Sequence, residues 1–248
     1  MARSLLKRGA TFVLAVLGAE IAFAVLKRSP ELESFDPSGE FGDPDSPTLR
    51  VAVLGDSSVT APGVAGPEEI WVSLVCSRLA ENHHIVLKSF AVGGSMAHNL
   101  VAEQMGDTID FEPDLIFVSV GANDALRGIP VRVFEKNLDY LIRRLAQTGA
   151  TIIQSGVGVM GTSPRLHPPL STMMSGQAIR FDRAHRRVAA KYGSWVVDHR
   201  SDDAGLWHQD ASLWAADDFH VSAAGHARWA ETTWRTVGPL MSRSSAAS

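Results

Sequence analysis

Short apolar runs alternate with longer segments of mixed polarity over most of this chain. The runs are rich in Val and Ile and are flanked by Gly, Asp or Ser, which is typical of buried strands. Five strands are predicted in this way: Arg50–Leu54, Ile85–Val92, Leu115–Val120, Thr151–Ser155 and Trp195–Val197.

The segments between these strands have the pattern of helices. Apolar residues recur at helical spacing in Pro130–Thr148, and Gly149 is placed to end that helix. Further helices are predicted at Pro67–Glu81, Ser171–Tyr192 and Ser222–Met241. Alternating strands and helices predict an α/β fold, in which helices cover both faces of a parallel sheet. Ligands of such sheets bind outside the carboxyl ends of the strands.

The first 48 residues differ from the rest. Residues 1–28 hold an apolar run, Gly9–Leu26, between basic residues, which is the arrangement of a signal peptide or a membrane anchor. Glu20 interrupts the run, so an amphipathic helix on the domain or on a lipid surface is the alternative. Residues 29–48 are rich in Pro, Gly, Ser and acidic residues and are predicted to be a flexible tether. We therefore expect one domain, 49–248, that is exported or associated with a membrane.

Composition and charge narrow the class of protein. Of the 248 residues 45% are hydrophobic, which supplies a buried core, and the net charge of −4 offers no basic field for nucleic acid. The single cysteine, Cys76, cannot form an internal disulfide and is expected to pack as a small apolar residue.

Four short motifs follow one another along the chain. They are LGDS at Leu54–Ser57, AVGG at Ala91–Gly94, GAND at Gly121–Asp124 and DDFH at Asp217–His220. The first three come where a predicted strand ends. Because the carboxyl ends of parallel strands meet at one edge of a sheet, we expect these three motifs to lie at that edge.

Ser57 in LGDS is a candidate nucleophile, because a hydroxyl just beyond a strand is exposed where substrates bind. Ser58 is the alternative nucleophile, and a serine that only caps the next segment is the structural alternative. Gly94 has no side chain, so a substrate can approach its backbone closely and its N–H is a candidate oxyanion donor. Gly93 is a weaker candidate. The structural alternative is that the two glycines only form a turn.

The last two motifs add a donor and an acid–base pair. Asn123 carries an uncharged amide that can donate to a developing oxyanion, although an Asn-Asp turn is the alternative. Asp217 and His220 are three residues apart, so the carboxylate can hold the imidazole while the other ring nitrogen accepts the serine proton. Asp218 is an alternative to Asp217, and a solvated acidic loop is the structural alternative.

The order of these motifs resembles that of the SGNH hydrolases, the GDSL family of esterases and lipases, whose four blocks carry Ser, Gly, Asn and His. The resemblance implies a flavodoxin-like three-layer α/β/α sandwich with five parallel strands. It implies that Ser57 is the nucleophile and that Asp217 and His220 complete a catalytic triad. It further implies an oxyanion hole formed by the N–H of Ser57 together with Gly94 and Asn123.

The resemblance runs from about Leu49 to the C-terminal helix and has two departures. The family's leucine after GDS is Ser58 here, and the proline that commonly follows the catalytic His is Val221. Neither position carries chemistry in the family, so the departures bear on subfamily and substrate. The pattern G-x-S-x-G is absent, which argues against an ordinary α/β-hydrolase.

The implied activity is hydrolysis of carboxylic esters, with no metal or cofactor. We expect a small-molecule or lipid ester, or an acylated glycan ester, as substrate. The segment Gly156–Gln177 carries several Met and Leu residues, which are predicted to form an apolar rim beside the pocket. Trp207 and Trp214 are predicted to form a wall of the same pocket. The alternative is that the Met and Leu residues pack against the sheet.

Three other classes of function share some of these residues. An O-acyltransferase would use the same acyl-enzyme with an alcohol in place of water. A metal-dependent phosphoesterase would use Asp56, Asn123 and His220, but it needs further metal ligands at the other strand ends. A non-catalytic binding module leaves the acid, base and donor residues unexplained.

Overall fold

The computed structural model describes residues 30–200 and 204–244, together with Gly18. The segment predicted to be a signal peptide or anchor, residues 1–28, lies outside the described residues except for Gly18. Among the described helices, none has both the length and the apolar character needed to cross a bilayer.

Within the described residues, six strands form one sheet in the order β1-β3-β2-β4-β5-β6. The strands are β1 (Gly39–Phe41), β2 (Thr48–Gly55), β3 (His84–Ser89), β4 (Leu115–Ser119), β5 (Thr151–Ser155) and β6 (Trp195–Val197). Strands β2 to β6 pair in parallel, and β1 is antiparallel to β3. The predicted parallel sheet is confirmed, and each of the five predicted strands overlaps a strand of this sheet.

Most helices lie between consecutive strands, as the alternating pattern predicts, and two follow the last strand. They are α1 (Ser57–Thr60), α2 (Trp71–Leu79), α3 (Ala97–Asn99), α4 (Met105–Asp110), α5 (Ala122–Leu126), α6 (Val131–Leu145), α7 (Leu170–Tyr192), α8 (Ala204–Gln209) and α9 (Ala223–Ser244). A π-helical turn, Leu100–Gln104, joins α3 to α4. The helix predicted at Pro67–Glu81 begins as a 3-10 turn, Pro67–Glu69, and becomes α-helical at Trp71.

Alternate residues of the central strands face two separate cores, which makes the fold a three-layer sandwich. In β2, Val51 and Val53 pack with residues of α2 and α9, whereas Ala52 and Leu54 pack with residues of α6 and α7 on the other face. A strand that is apolar at successive positions is therefore buried on both sides, as expected for a parallel sheet. The three-layer α/β/α class is confirmed.

The sheet has one strand more than the sequence predicted, and that strand lies in the segment expected to be a tether. Gly39–Phe41 pairs with β3, Phe35 donates its N–H to the carbonyl of Thr60 at 2.8 Å, and the rings of Phe35 and Phe41 pack against the core. Backbone pairing at a sheet edge and two partly buried rings order a segment whose composition is typical of a linker. The folded part of the chain thus begins before residue 49.

Candidate active site

The turn that connects β2 to α1, residues Gly55–Ser58, carries the candidate nucleophile; we call it the nucleophile turn. A Cβ atom at Gly55 would lie 2.8 Å from both the carbonyl oxygen of Ser119 and a methyl group of Val59, so the turn requires glycine there. Asp56 is the N-cap of α1, and its side chain accepts the N–H of Ser58 at 2.9 Å. Ser57 is thereby held at the first residue of the helix, directly beyond the strand.

Ser58, the alternative nucleophile, faces a different neighbour. Its hydroxyl lies 2.7 Å from the hydroxyl of Ser119 at the end of β4. Its carbonyl accepts the indole N–H of Trp71 at 2.9 Å. The Ser58 side chain therefore contacts the end of the neighbouring strand rather than the DDFH segment.

Residues Asp217–His220 form a tight loop, the acid–base loop, in which one carboxylate organises the imidazole. Asp217 Oδ2 lies 2.6 Å from His220 Nδ1, while Oδ1 accepts the backbone N–H groups of Phe219 and His220 at 3.0 and 2.9 Å. Burial by itself raises the pKa of the Asp217 carboxyl, but these hydrogen bonds outweigh it and lower the pKa to about 2. Asp217 is thus an ionised partner of His220 at neutral pH.

A second loop holds the acid–base loop from the side. The Ser163 hydroxyl donates to the carbonyl of Asp218 at 2.7 Å, and the Arg165 guanidinium donates to the carbonyl of Asp217 at 3.1 Å. Asp218 has a positive φ of 61°, a conformation that Asp tolerates better than most residues. No sequence pattern pointed to Ser163 or Arg165, because their partners are backbone carbonyls more than 50 residues away.

Ser57 and His220 line the same pocket, which has a volume of about 100 Å³. In the part of the chain that the structure describes, the Ser57 hydroxyl makes no direct hydrogen bond to the imidazole. Such bonds are often long in unliganded hydrolases and shorten when substrate binds. The Ser57 hydroxyl and the His220 imidazole therefore border the same cavity.

Gly94 and Asn123 lie beside this pocket rather than in its lining. The Asn123 amide donates to Asp56 Oδ2 at 3.2 Å and to the carbonyl of Ser95 at 3.1 Å. Gly94 has a φ of 80°, where an L side chain is strained. Asn123 thus links the nucleophile turn to the loop that contains Gly94.

Asp56 joins these parts, although the sequence suggested it only as a metal ligand of an alternative class of enzyme. It is almost fully buried, and burial raises the pKa of its carboxyl despite the hydrogen bonds from Ser58 and Asn123. Its two oxygens hold the N–H of Ser58 and the amide of Asn123.

Aromatic and aliphatic side chains form most of the pocket wall. Trp207 and Trp214 line it, as predicted, with their ring centroids 5.4 Å apart. Trp229 of α9, which the sequence analysis did not single out, completes the wall 6.0 Å from Trp207. Met160 of the predicted rim lines the pocket, whereas Met173 points to solvent and Met174 is buried without lining it.

His226 also lines the pocket. It is buried, and its Nδ1 accepts the N–H of Trp71 at 3.3 Å. Burial lowers its pKa to about 3, so the ring is neutral at physiological pH. Within residues 30–200 and 204–244, no group of three or more His, Cys, Asp or Glu side chains is arranged to hold a metal ion.

A hydroxyl, an imidazole and a buried carboxylate thus lie near one another beyond the carboxyl edge of a parallel sheet. The sequence model of the GDSL-like Lipase/Acylhydrolase family matches residues 53–228 of this chain. The chain therefore belongs to that family. It is accordingly an ester hydrolase.

Individual proteins of known structure or activity are similar to this chain. Esterase TesA of Pseudomonas aeruginosa is 25% identical over 76% of this chain and 88% of its own length. An arylesterase of Vibrio mimicus is 30% identical over 64% of this chain and 83% of its own length. The structure of Axe2, an acetylxylan esterase from Geobacillus stearothermophilus, has a TM-score of 0.64 at 19% identity, covering 78% of this chain and 95% of that one; at this identity the likeness concerns the fold.

Proposed function

We propose that this hydrolase acts through an acyl-enzyme on Ser57, with His220 as general base and acid and Asp217 as the residue that orients the imidazole. The observation that carries the proposal is the Asp217–His220 pair, 2.6 Å apart, whose imidazole lines the same pocket as Ser57. A carboxylate on Nδ1 leaves Nε2 of the neutral ring as the acceptor for the serine proton.

In the first step Ser57 Oγ bonds to the ester carbonyl carbon while its proton passes to His220. The oxyanion is stabilised by the N–H groups of Ser57 and Gly94 and by the Asn123 amide, which gives up one of its present hydrogen bonds. The carbon–oxygen bond to the alcohol then breaks, and His220 returns its proton to the leaving oxygen. Water, deprotonated by His220, releases the acid from Ser57.

The aromatic and aliphatic lining of the pocket suits the acyl part of an ester, because an acyl chain gains free energy when it leaves water. We propose a lipid or acylated glycan ester as the natural substrate. The acetylxylan esterase activity named for the similar structure is one instance of an acylated glycan substrate. We further propose that residues 1–28 export the protein or attach it to a membrane, which cell fractionation of the full chain would test.

The decisive experiment compares Ser57→Ala with Ser58→Ala on p-nitrophenyl butyrate. We expect Ser57→Ala to lose at least about a thousandfold in kcat/KM, since a triad acts as a unit. Ser58→Ala should keep most of the activity. A fluorophosphonate probe followed by peptide mapping should label Ser57; labelling of Ser58, or unchanged turnover by Ser57→Ala, would refute the assignment.

A further inference from the structure

A second cavity, of about 60 Å³, lies beside the active-site pocket at the carboxyl ends of β2, β4 and β5. We call it the polar chamber, after four hydrogen-bonding side chains in its lining: Ser58, Ser119, Ser155 and His199. The chamber and the pocket share several lining residues, namely Asp56, Ser58, Ala122, Val157 and Trp229. The two spaces therefore adjoin one another next to the nucleophile turn.

The side chains of the polar chamber are paired with one another but retain hydrogen-bonding capacity. Ser58 and Ser119 are joined by their hydroxyls at 2.7 Å, and the Ser155 hydroxyl lies 2.9 Å from His199 Nε2. A hydroxyl has one donor and two acceptor positions, so a single partner leaves it unsaturated. The chamber can accept a further polar group without breaking these pairs.

His199 lines the polar chamber and has one ring nitrogen paired with Ser155 and, among the described residues, one without a partner. It is buried, and in the described part of the chain its Nδ1 has no hydrogen-bond partner. In either tautomer of the neutral ring, one nitrogen donates and the other accepts, so Nδ1 has an unmet requirement whichever way Ser155 is paired. Nδ1 is closed off from any space that a solvent-sized group can enter, so it does not face the polar chamber. The hydroxyls of Ser58, Ser119 and Ser155 are the groups that a ligand would meet.

The charge of the polar chamber favours a neutral ligand. Burial lowers the pKa of His199 to about 4, so its ring is uncharged at neutral pH. The remaining ionisable group of the lining, Asp56, already accepts hydrogen bonds from Ser58 and Asn123. Because an unpaired charge is costly to bury, neither an anion nor a cation suits this space.

We propose that the polar chamber is a subsite that binds an uncharged hydroxyl group carried by the ester substrate, on either its acyl or its alcohol part. The subsite rests on the proposed function, because it presumes an ester bound at Ser57. It predicts a preference for a hydroxylated ester over an analogue of the same shape in which a methyl group replaces the hydroxyl.

The test has two arms that distinguish the source of the hydroxyl. For the acyl part, kcat/KM is compared for p-nitrophenyl 3-hydroxybutyrate and p-nitrophenyl 3-methylbutyrate. For the alcohol part, it is compared for 2-hydroxyethyl butyrate and propyl butyrate by titration of the released acid. We expect a preference of about tenfold or more for the hydroxylated ester in one arm. Equal rates in both arms would overturn the proposal while leaving the esterase function intact.

Variants test whether the preference for a hydroxylated ester arises in the polar chamber. Ser119→Ala and Ser155→Ala should each bring the ratio of the two kcat/KM values close to one. Ser73→Ala removes a buried serine hydroxyl that lies in α2, outside the lining, and should leave the ratio unchanged. A ratio that survives in both chamber variants would show that the hydroxyl binds elsewhere and would overturn the proposal.

A binding measurement keeps the test independent of turnover. In Ser57→Ala, calorimetry should give a lower Kd for methyl 3-hydroxybutyrate than for methyl 3-methylbutyrate if the acyl part carries the hydroxyl. The same comparison of 2-hydroxyethyl and propyl butyrate covers the alcohol part. Adding Ser119→Ala should remove the difference. If no ester is hydrolysed in a Ser57-dependent manner, the proposed function fails, and these affinities alone decide whether the chamber binds a hydroxyl.

Discussion

The nucleophile turn and the acid–base loop face one pocket but are held in place by different means. The nucleophile turn follows a strand whose last five residues are buried, and close contacts between Gly55 and β4 leave little room for alternative conformations. The acid–base loop lies outside the sheet, and its backbone is held by the Asp217 carboxylate, which accepts the N–H of His220, and by Ser163 and Arg165, which donate to its carbonyls. Packing therefore places the hydroxyl, whereas polar contacts between loops place the imidazole. Changes in the two regions should have different consequences for stability and for activity.

The largest effect should come from breaking the acid–base pair itself. His220→Gln or Asp217→Asn should lower kcat/KM by about 10³- to 10⁴-fold, because the serine loses its base or the imidazole loses its orientation. The melting temperature of His220→Gln should change little, because that side chain lies outside the core, whereas Asp217→Asn also loses a buried carboxylate with three hydrogen bonds and should be less stable. His208→Gln, at an exposed histidine in α8, is the control, and comparable loss in that variant would contradict the assignment.

The nucleophile turn should respond to added volume with a loss of stability. Gly55→Ala should lower the free energy of unfolding by about 3 kcal/mol, because the new methyl group meets a backbone carbonyl and a core methyl at 2.8 Å. Gly106→Ala, in α4, has no atom within 4 Å of the added Cβ and should be neutral or stabilising. Urea denaturation of both variants measures the difference; equal stabilities would mean that the turn tolerates a side chain.

Acid should destabilise the protein through His226, which is buried beside the acid–base loop. Its pKa is lowered to about 3 in the folded state, against about 6.5 in an unfolded chain. Below pH 6.5 the unfolded state binds a proton that the folded state does not, so stability is lost as the pH falls toward 3. Between pH 6.5 and 5.0 this residue should cost about 2 kcal/mol of unfolding free energy.

His226→Gln, whose amide oxygen can still accept the N–H of Trp71, should reduce that acid sensitivity by about the same amount. Unfolding free energies at pH 6.5 and 5.0 provide the measurement, with His208→Gln as the matched control. An unchanged pH dependence in His226→Gln would show that the folded state protonates this ring.

The smallest effect should follow from loosening the acid–base loop. Ser163→Ala removes the hydrogen bond to the Asp218 carbonyl, which is worth about 1 kcal/mol. We expect kcat to fall about fivefold with KM nearly unchanged, because the imidazole is less often in position while the apolar wall is intact. Ser77→Ala, at an exposed site on α2, should leave both constants unchanged. A rise in KM alone would indicate that Ser163 contacts substrate instead.

Local patterns in the sequence predicted the main features of the fold, but not its edge. The runs Arg50–Leu54 and Leu115–Val120 are apolar at successive positions because both faces of those strands are buried, and that signal is local. Gly39–Phe41 is only three residues long and has no alternation, so its pairing with β3 depends on an edge that the sequence does not display. The helical segment Ala97–Asp110 escaped prediction because a π-helical turn interrupts its periodicity.

The candidate site likewise has residues that the sequence could predict and residues that it could not. Short motifs identified Asp217 and His220 as neighbours, because three residues of chain suffice to bring them together, and their contact is observed. Their catalytic roles, with that of Ser57, stay predictions. Trp229 and His199 reach the pocket and the polar chamber through the packing of α9 and the end of β6, which no local pattern reveals.

The antiparallel edge strand β1 has a practical consequence for the choice of the first residue in a shortened version of the protein. β1 covers the outer side of β3, whose backbone N–H and C=O groups would otherwise be exposed in a row. A shortened version that starts at residue 49 uncovers that row and offers a template for another chain. Such a version is expected to self-associate during purification. A version that starts at residue 30 keeps β1, which covers the edge of β3.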